Sequence, residues 1–296
     1  MIAELILLLA GHRSALFLES GKLNPAFEEL LHPGEQQSLE YLSRIASRYR
    51  TLKSSIETLS GTSEYLSSMM AAVRVVLSEY ENLVVRTEAK VLQRDNDIVA
   101  SGSFVPLASL KATFSEWDGP LAALDSLIHH IQRLGAANIS PGPLIDLLLE
   151  RSRTGVERIS EIMADLGLAV QRVWQMHLTA YLVHGALTTK DPFATANPHQ
   201  LSAHIIPNCI SPDSRDSIAY VGRAIATVKA ARGHRYQQQQ LPRSLAVMHT
   251  KMLSKVLPQD RHTFDAVLAQ IRVNVSEWLW ATVLTRKDVD DALDSL

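Results

Sequence analysis

The sequence predicts an all-α protein built as an elongated array of antiparallel helical bundles. Three observations carry that reading. Apolar residues recur in steps of three and four, prolines and glycines fall where helices would begin or end, and no segment alternates convincingly with a period of two. At 296 residues the chain exceeds one typical compact domain, so sub-bundles are expected, at about 1–135 and 136–296. No fixed-period repeat is visible.

The opening Met1 to Ala10 is apolar but has no basic leader, contains Glu4, and is far shorter than the roughly 20 apolar residues of a membrane span. It reads as a short core helix. From Leu39 the residues Leu42, Ile45, Ala46, Tyr49, Leu52, Ile56 and Leu59 draw one stripe, with His32, Pro33 and Gly34 at its start and Gly61 at its end. A second long helix carries Leu66, Met69, Val73, Val76, Tyr80, Leu83 and Val84 towards Val91, antiparallel to the first. Arg94 to Asp97 reads as its exit.

The same period restarts at Leu107 and continues through Leu110, Phe114, Trp117, Leu121, Leu124, Ile128, Ile131 and Leu134, with a kink or break expected at Gly119 and Pro120. Ser140 before Pro141 is a cap followed by a first-turn proline, predicting a helix through Leu149. A long helix follows from about Val156 to Val183, stopped by Gly185. Residues 188–212 hold Pro192, Pro198, Pro207 and Pro212 and read as an irregular surface connection. Ser211 and Pro212 repeat the cap signal ahead of Ile218, Val221, Ala224, Ile225 and Val228. Arg232 to Gln240 reads as a polar loop, and helices near Leu241 to Leu257 and Thr263 to Leu284 complete the chain.

A formal charge of −2, from 29 basic and 31 acidic residues, supplies no summed field for nucleic acid or an anionic membrane. The single cysteine, Cys209, excludes an intrachain disulfide framework and a cysteine-rich zinc site. Its neighbours Ile205, Ile206 and Ile210 favour a structural thiol over an activated one. There is no glycine-rich phosphate loop, HExxH or nucleophile elbow, and no catalytic residue, cofactor or metal ligand is assigned. His129 and His130 point about 100° apart on a helix, and His177 and His184 lie about 10 Å apart along one, so neither pair suits one metal ion. Trp278 and Trp280 cannot face the same way, so one of them is a candidate contact for a partner or for further chain.

Three blocks then resemble one family. The first is Met1 to Phe17 with Leu31, His32, Pro33, Gly34 and Glu35. The second is Gln175 to Leu187, an aromatic, an apolar pair and a glycine ahead of a loop. The third is Ile206 to Pro212 followed by Ala219 to Ile225, a proline-led entry into a glycine-containing helix in which Arg223 stands where lysine is usual. In family order, they resemble the gamma-tubulin complex components, the Spc97/Spc98 family, and within it the component 4 branch, which begins the same way without a long leading extension.

The resemblance implies the N-terminal grip motif region, a structural half that makes lateral contacts with neighbouring components so that the assembled ring templates microtubule nucleation. It implies gamma-tubulin binding by a following half that is absent here, the ending from Arg286 to Leu296 being mid-helix in character. It also implies a place in the cytoplasm and cytoskeleton, at a microtubule organizing center such as the centrosome or spindle pole body. No enzymatic activity, nucleic acid or membrane partner is expected. The lateral-interface candidates are His12, Arg13 and Phe17, with Trp278 and Trp280. The runner-up reading is a helical tether or adaptor of the vesicle-trafficking type; a metal-dependent helical hydrolase is a third.

Overall fold

The computed structural model describes residues 1–18, 21–28, 30–95, 105–135, 139–185, 193, 204–231 and 241–281. Among them the regular structure is helical: α1 (Ile2–Leu9), α2 (Pro25–Glu28), α3 (Pro33–Leu59), α4 (Glu64–Leu92), α5 (Leu107–Ser115), α6 (Asp118–Leu134), α7 (Pro141–Arg151), α8 (Glu157–His184), α9 (Pro212–Ala231), α10 (Arg243–Leu253) and α11 (Arg261–Leu279). One antiparallel bridge, Phe17 to Leu23, is the extended pairing seen among the described residues. The all-α expectation is met. The expected connection at 188–212 is described only at Phe193 and from His204 onward. The polar loop at Arg232 to Gln240 and the end from Arg286 to Leu296 lie outside the described residues.

The chain divides into two compact units: Met1–Ile139 with Arg151–Leu166, and Ser140–Glu150 with Gly167–Leu296. In the first unit α3 is the hub, packing against α1, α4, α5 and α6. Every apolar position of its predicted stripe, Leu39 through Leu59, is buried. The helix starts where His32 supplies an N-cap: its Nδ1 accepts from the Gly34 amide at 3.2 Å, and Glu35 reaches back to accept from the His32 amide at 3.1 Å. Pro33 sits at the first helical position, where its missing N–H costs nothing. Ser63 caps α4 by accepting from the Leu66 amide.

The predicted interruption at Gly119 and Pro120 falls slightly earlier. Helix α5 ends at Ser115 and α6 begins at Asp118, so Pro120 lies inside the first turn of a new helix, where a proline is tolerated. Asp118 at that N-terminus also holds Arg48 of α3 at 2.5 Å. An aromatic cluster closes this core: Tyr80 has ring-centroid distances of 4.8 Å to Tyr49, 6.0 Å to Phe114 and 5.5 Å to Trp117.

The second unit is organised around the C-terminal part of α8, with Trp174 fully buried at its centre. Its ring lies 6.0 Å from Phe193 and 6.2 Å from Phe264 of α11, and Tyr181 stacks on Phe193 at 5.3 Å. Helices α9 and α11 pack together, with the Ser276 hydroxyl donating to Tyr220 Oη and the Arg272 guanidinium over the Tyr220 ring. Gly185 ends α8 as expected, with a φ of +69° that other residues adopt only under strain.

Candidate interaction surfaces

The first block folds into a short helix and a pinned loop. Leu5 and Leu9 of α1 are fully buried, and the Leu9 carbonyl accepts from Tyr80 Oη at 3.0 Å, which fixes the end of α1 against α4. Beyond it, the Ser14 hydroxyl donates to Glu4 at 2.8 Å. The Leu18 amide donates to the Lys22 carbonyl and the Asn24 amide to the Leu16 carbonyl, both at 2.9 Å, while Ser43 of α3 donates to the Gly21 carbonyl at 2.8 Å. Residues 14–18 and 21–24 are thus tied to one another, to α1 and to α3.

Of the three candidates here, His12 and Arg13 are exposed, whereas Phe17 is only 9% exposed and packs inward. Phe17 therefore shapes the surface from below, and His12 and Arg13 are the side chains a neighbour could touch. Between this loop and α3 lies a cavity of about 110 Å³ lined by Arg13, Ser14, Phe17, Ser43, Ser47 and Arg50 among others. The sequence reading passed over Ser43, Ser47 and Arg50. They share one face of α3, at i, i+4 and i+7, and that spacing was a legible signal.

The second and third blocks meet inside the second unit. The Trp174 indole N–H, next to the second block, donates to the Ile205 carbonyl at 2.8 Å. Asp146 of α7 accepts from the Asn208 amide at 2.8 Å, and Arg215 donates to the Pro207 carbonyl at 3.3 Å. Ser211 and Ser214 both donate to Asp265 of α11, at 2.8 and 2.5 Å. The segment from Ile205 to Ser214 is thus held by α7, α8, α9 and α11 together. Gln175 of the second block donates to the carbonyls of Leu253 and Val256. Gly222 of the third block lies so close to Tyr181 of the second that an added Cβ would fall within the ring.

The two tryptophans part as helical geometry requires, Trp278 being 8% and Trp280 67% exposed. Trp280 shares a face with half-exposed Val273, and Arg272, Ser276 and Glu277 lie alongside in an open, shallow surface. Trp278 belongs to the core of its unit.

Among the described residues, groups suited to chemistry are scarce. Cys209 is partly buried, and desolvation pushes its thiol up to about 11, away from a reactive thiolate. His129 turns its Nδ1 to the Asp125 carbonyl of its own helix at 2.8 Å. No cluster of three metal-ligating side chains occurs among the described residues, and no described helix is long and apolar enough to cross a membrane. Burial depresses the His249 pKa; its Nε2 lies 3.3 Å from Asn274 Nδ2. Sequence reasoning missed this histidine, because nothing around it in the chain distinguishes it from a surface one.

Comparison with known proteins decides the family. Residues 2–286 match the model of the gamma tubulin complex component N-terminal region. The chain belongs to the gamma-tubulin complex component family. A related component, gfh1 of Schizosaccharomyces pombe (strain 972 / ATCC 24843), described as a gamma-tubulin complex component, is 27% identical over 192 residues. That alignment covers 62% of this chain and 33% of the relative, so the chain spans about a third of the relative's length. Apart from Met1, the three sequence blocks of the family resemblance fall within the matched 2–286 span, the second and third in mutual contact.

Proposed function

We propose that this component is a structural subunit of the gamma-tubulin complex, and that its helical N-terminal region packs side by side with the same region of neighbouring components. The observation that carries the reading is the family match over residues 2–286, nearly the whole chain. A vesicle-trafficking tether would share the composition and helix lengths but has no such match in its favour. The mechanism is templating by geometry: rigid helical units set the spacing and order of the gamma-tubulins borne by other parts of the complex, and no bond is made or broken.

In this proposal the first block supplies one lateral contact, with His12 and Arg13 at the surface and Phe17 supporting them, and exposed Trp280 supplies another. A few buried anchors, rather than total area, would provide the binding energy. Gamma-tubulin itself is bound by the region that follows this one in the family. The complex works in the cytoplasm at a microtubule organizing center.

The test is size-exclusion chromatography with light scattering on this chain mixed separately with gamma-tubulin and with the N-terminal regions of other components from the same source. A complex with at least one component and none with gamma-tubulin is expected. Tight binding to gamma-tubulin with no component bound would reverse the assignment.

A further inference from the structure

The cavity over α3 lies between that helix and the loop that follows α1. Two guanidiniums, of Arg13 and Arg50, line it with the hydroxyls of Ser14, Ser43 and Ser47, and no carboxylate does so among the described residues. The Ser14 and Ser43 hydroxyls are already committed as donors, to Glu4 and to the Gly21 carbonyl. Arg50 is half-buried, and neither its guanidinium nor the Ser47 hydroxyl has a hydrogen-bond or ion-pair partner among the described residues. The volume of about 110 Å³ is well under the roughly 300–1,000 Å³ of small-molecule and cofactor sites. It is enough for one short side chain ending in a charged group, or for several waters.

We infer that this cavity receives a single aspartate or glutamate side chain from the neighbouring component, which pairs with Arg50 and accepts from Ser47. A guanidinium presents two parallel N–H donors to a carboxylate, a geometry that fixes register as well as attraction. The half-buried setting strengthens the pair relative to one in open water. Buried Phe17 and the hydrogen bonds of Ser14 to Glu4 and of Ser43 to the Gly21 carbonyl hold these walls in place before the partner arrives, which lowers the ordering cost of binding. The inference rests on the lateral-packing reading above and adds to it the chemistry of one contact.

The experiment measures the affinity of this chain for each N-terminal region of a gamma-tubulin complex component from the same source, by calorimetry at 50 and 300 mM sodium chloride. Arg50→Ala is expected to weaken the pair by about tenfold or more, and Arg50→Lys to recover part of the loss. Ser47→Leu, which fills the cavity without altering charge, is expected to weaken it similarly. Added salt should weaken the wild-type pair more than the Arg50→Ala pair. Circular dichroism melts identify variants that fail to fold, and Ser47→Leu carries the test if the Arg50 variants do. Wild-type affinity in the folded variants overturns the inference and leaves lateral packing standing. Failure of the wild-type chain to bind any component overturns the lateral-packing reading and this inference with it.

Discussion

The ring of Tyr181 rests on the backbone of Gly222, where α8 meets α9, and leaves no room there for even a methyl group. A glycine in a helix interior normally costs about 1 kcal/mol relative to alanine. Here close approach outweighs propensity. Gly222→Ala should destabilise the chain by about 1–3 kcal/mol, the usual cost of overpacking, and combining it with Tyr181→Leu should recover much of the loss. Thermal melts of the two single variants and the double variant measure this, and a Gly222→Ala variant as stable as wild type would refute the close packing.

Trp174 makes a second checkable contribution. Its indole N–H satisfies the Ile205 carbonyl in a buried setting. Trp174→Phe keeps an aromatic ring but leaves that carbonyl unpaired, at a cost of about 1–3 kcal/mol. Urea unfolding should show a lower midpoint with little change in slope.

His249 predicts a pH dependence. Burial lowers its folded pKa below the ordinary 6.5, so the unfolded chain binds the proton more readily. Stability from this group is fully present above 6.5 and is lost as pH falls from there through the lower folded value. Wild type should therefore lose more stability between pH 7.5 and 5 than His249→Gln does. Parallel slopes in the two proteins would rule out a buried neutral histidine.

Cys209 should be nearly inert. A thiol held at about 11 carries about one thiolate per thousand molecules at pH 8. Labelling by a disulfide reagent is expected to be slow in the native protein and fast in denaturant, and rapid native labelling would contradict the burial.

Much of the fold was legible because period and punctuation agreed. The stripe from Leu39 to Leu59 is buried throughout, and its helix starts at Pro33, where His32, Pro33 and Gly34 mark a beginning in the sequence. Pro120 misled by only a few residues, since a proline reads equally as a breaker or as a first-turn residue, and tertiary packing chose the second. The site was less legible. Phe17 and Trp278 proved to be core residues because burial depends on what folds over a side chain, which local periodicity does not record. Trp280 was separable from Trp278 by helical geometry alone, although its exposure was not assignable in advance. Arg50 and Ser47 escaped notice since their cavity is closed by a loop that lies 26 or more positions earlier in the chain.

Cross-linking mass spectrometry on the assembled complex tests the central claim most directly, using exposed Lys22 beside the first block as the reporter. The account predicts cross-links from Lys22 to the N-terminal region of a neighbouring component and none to gamma-tubulin. Cross-links from Lys22 to gamma-tubulin, with none to any component, would contradict it.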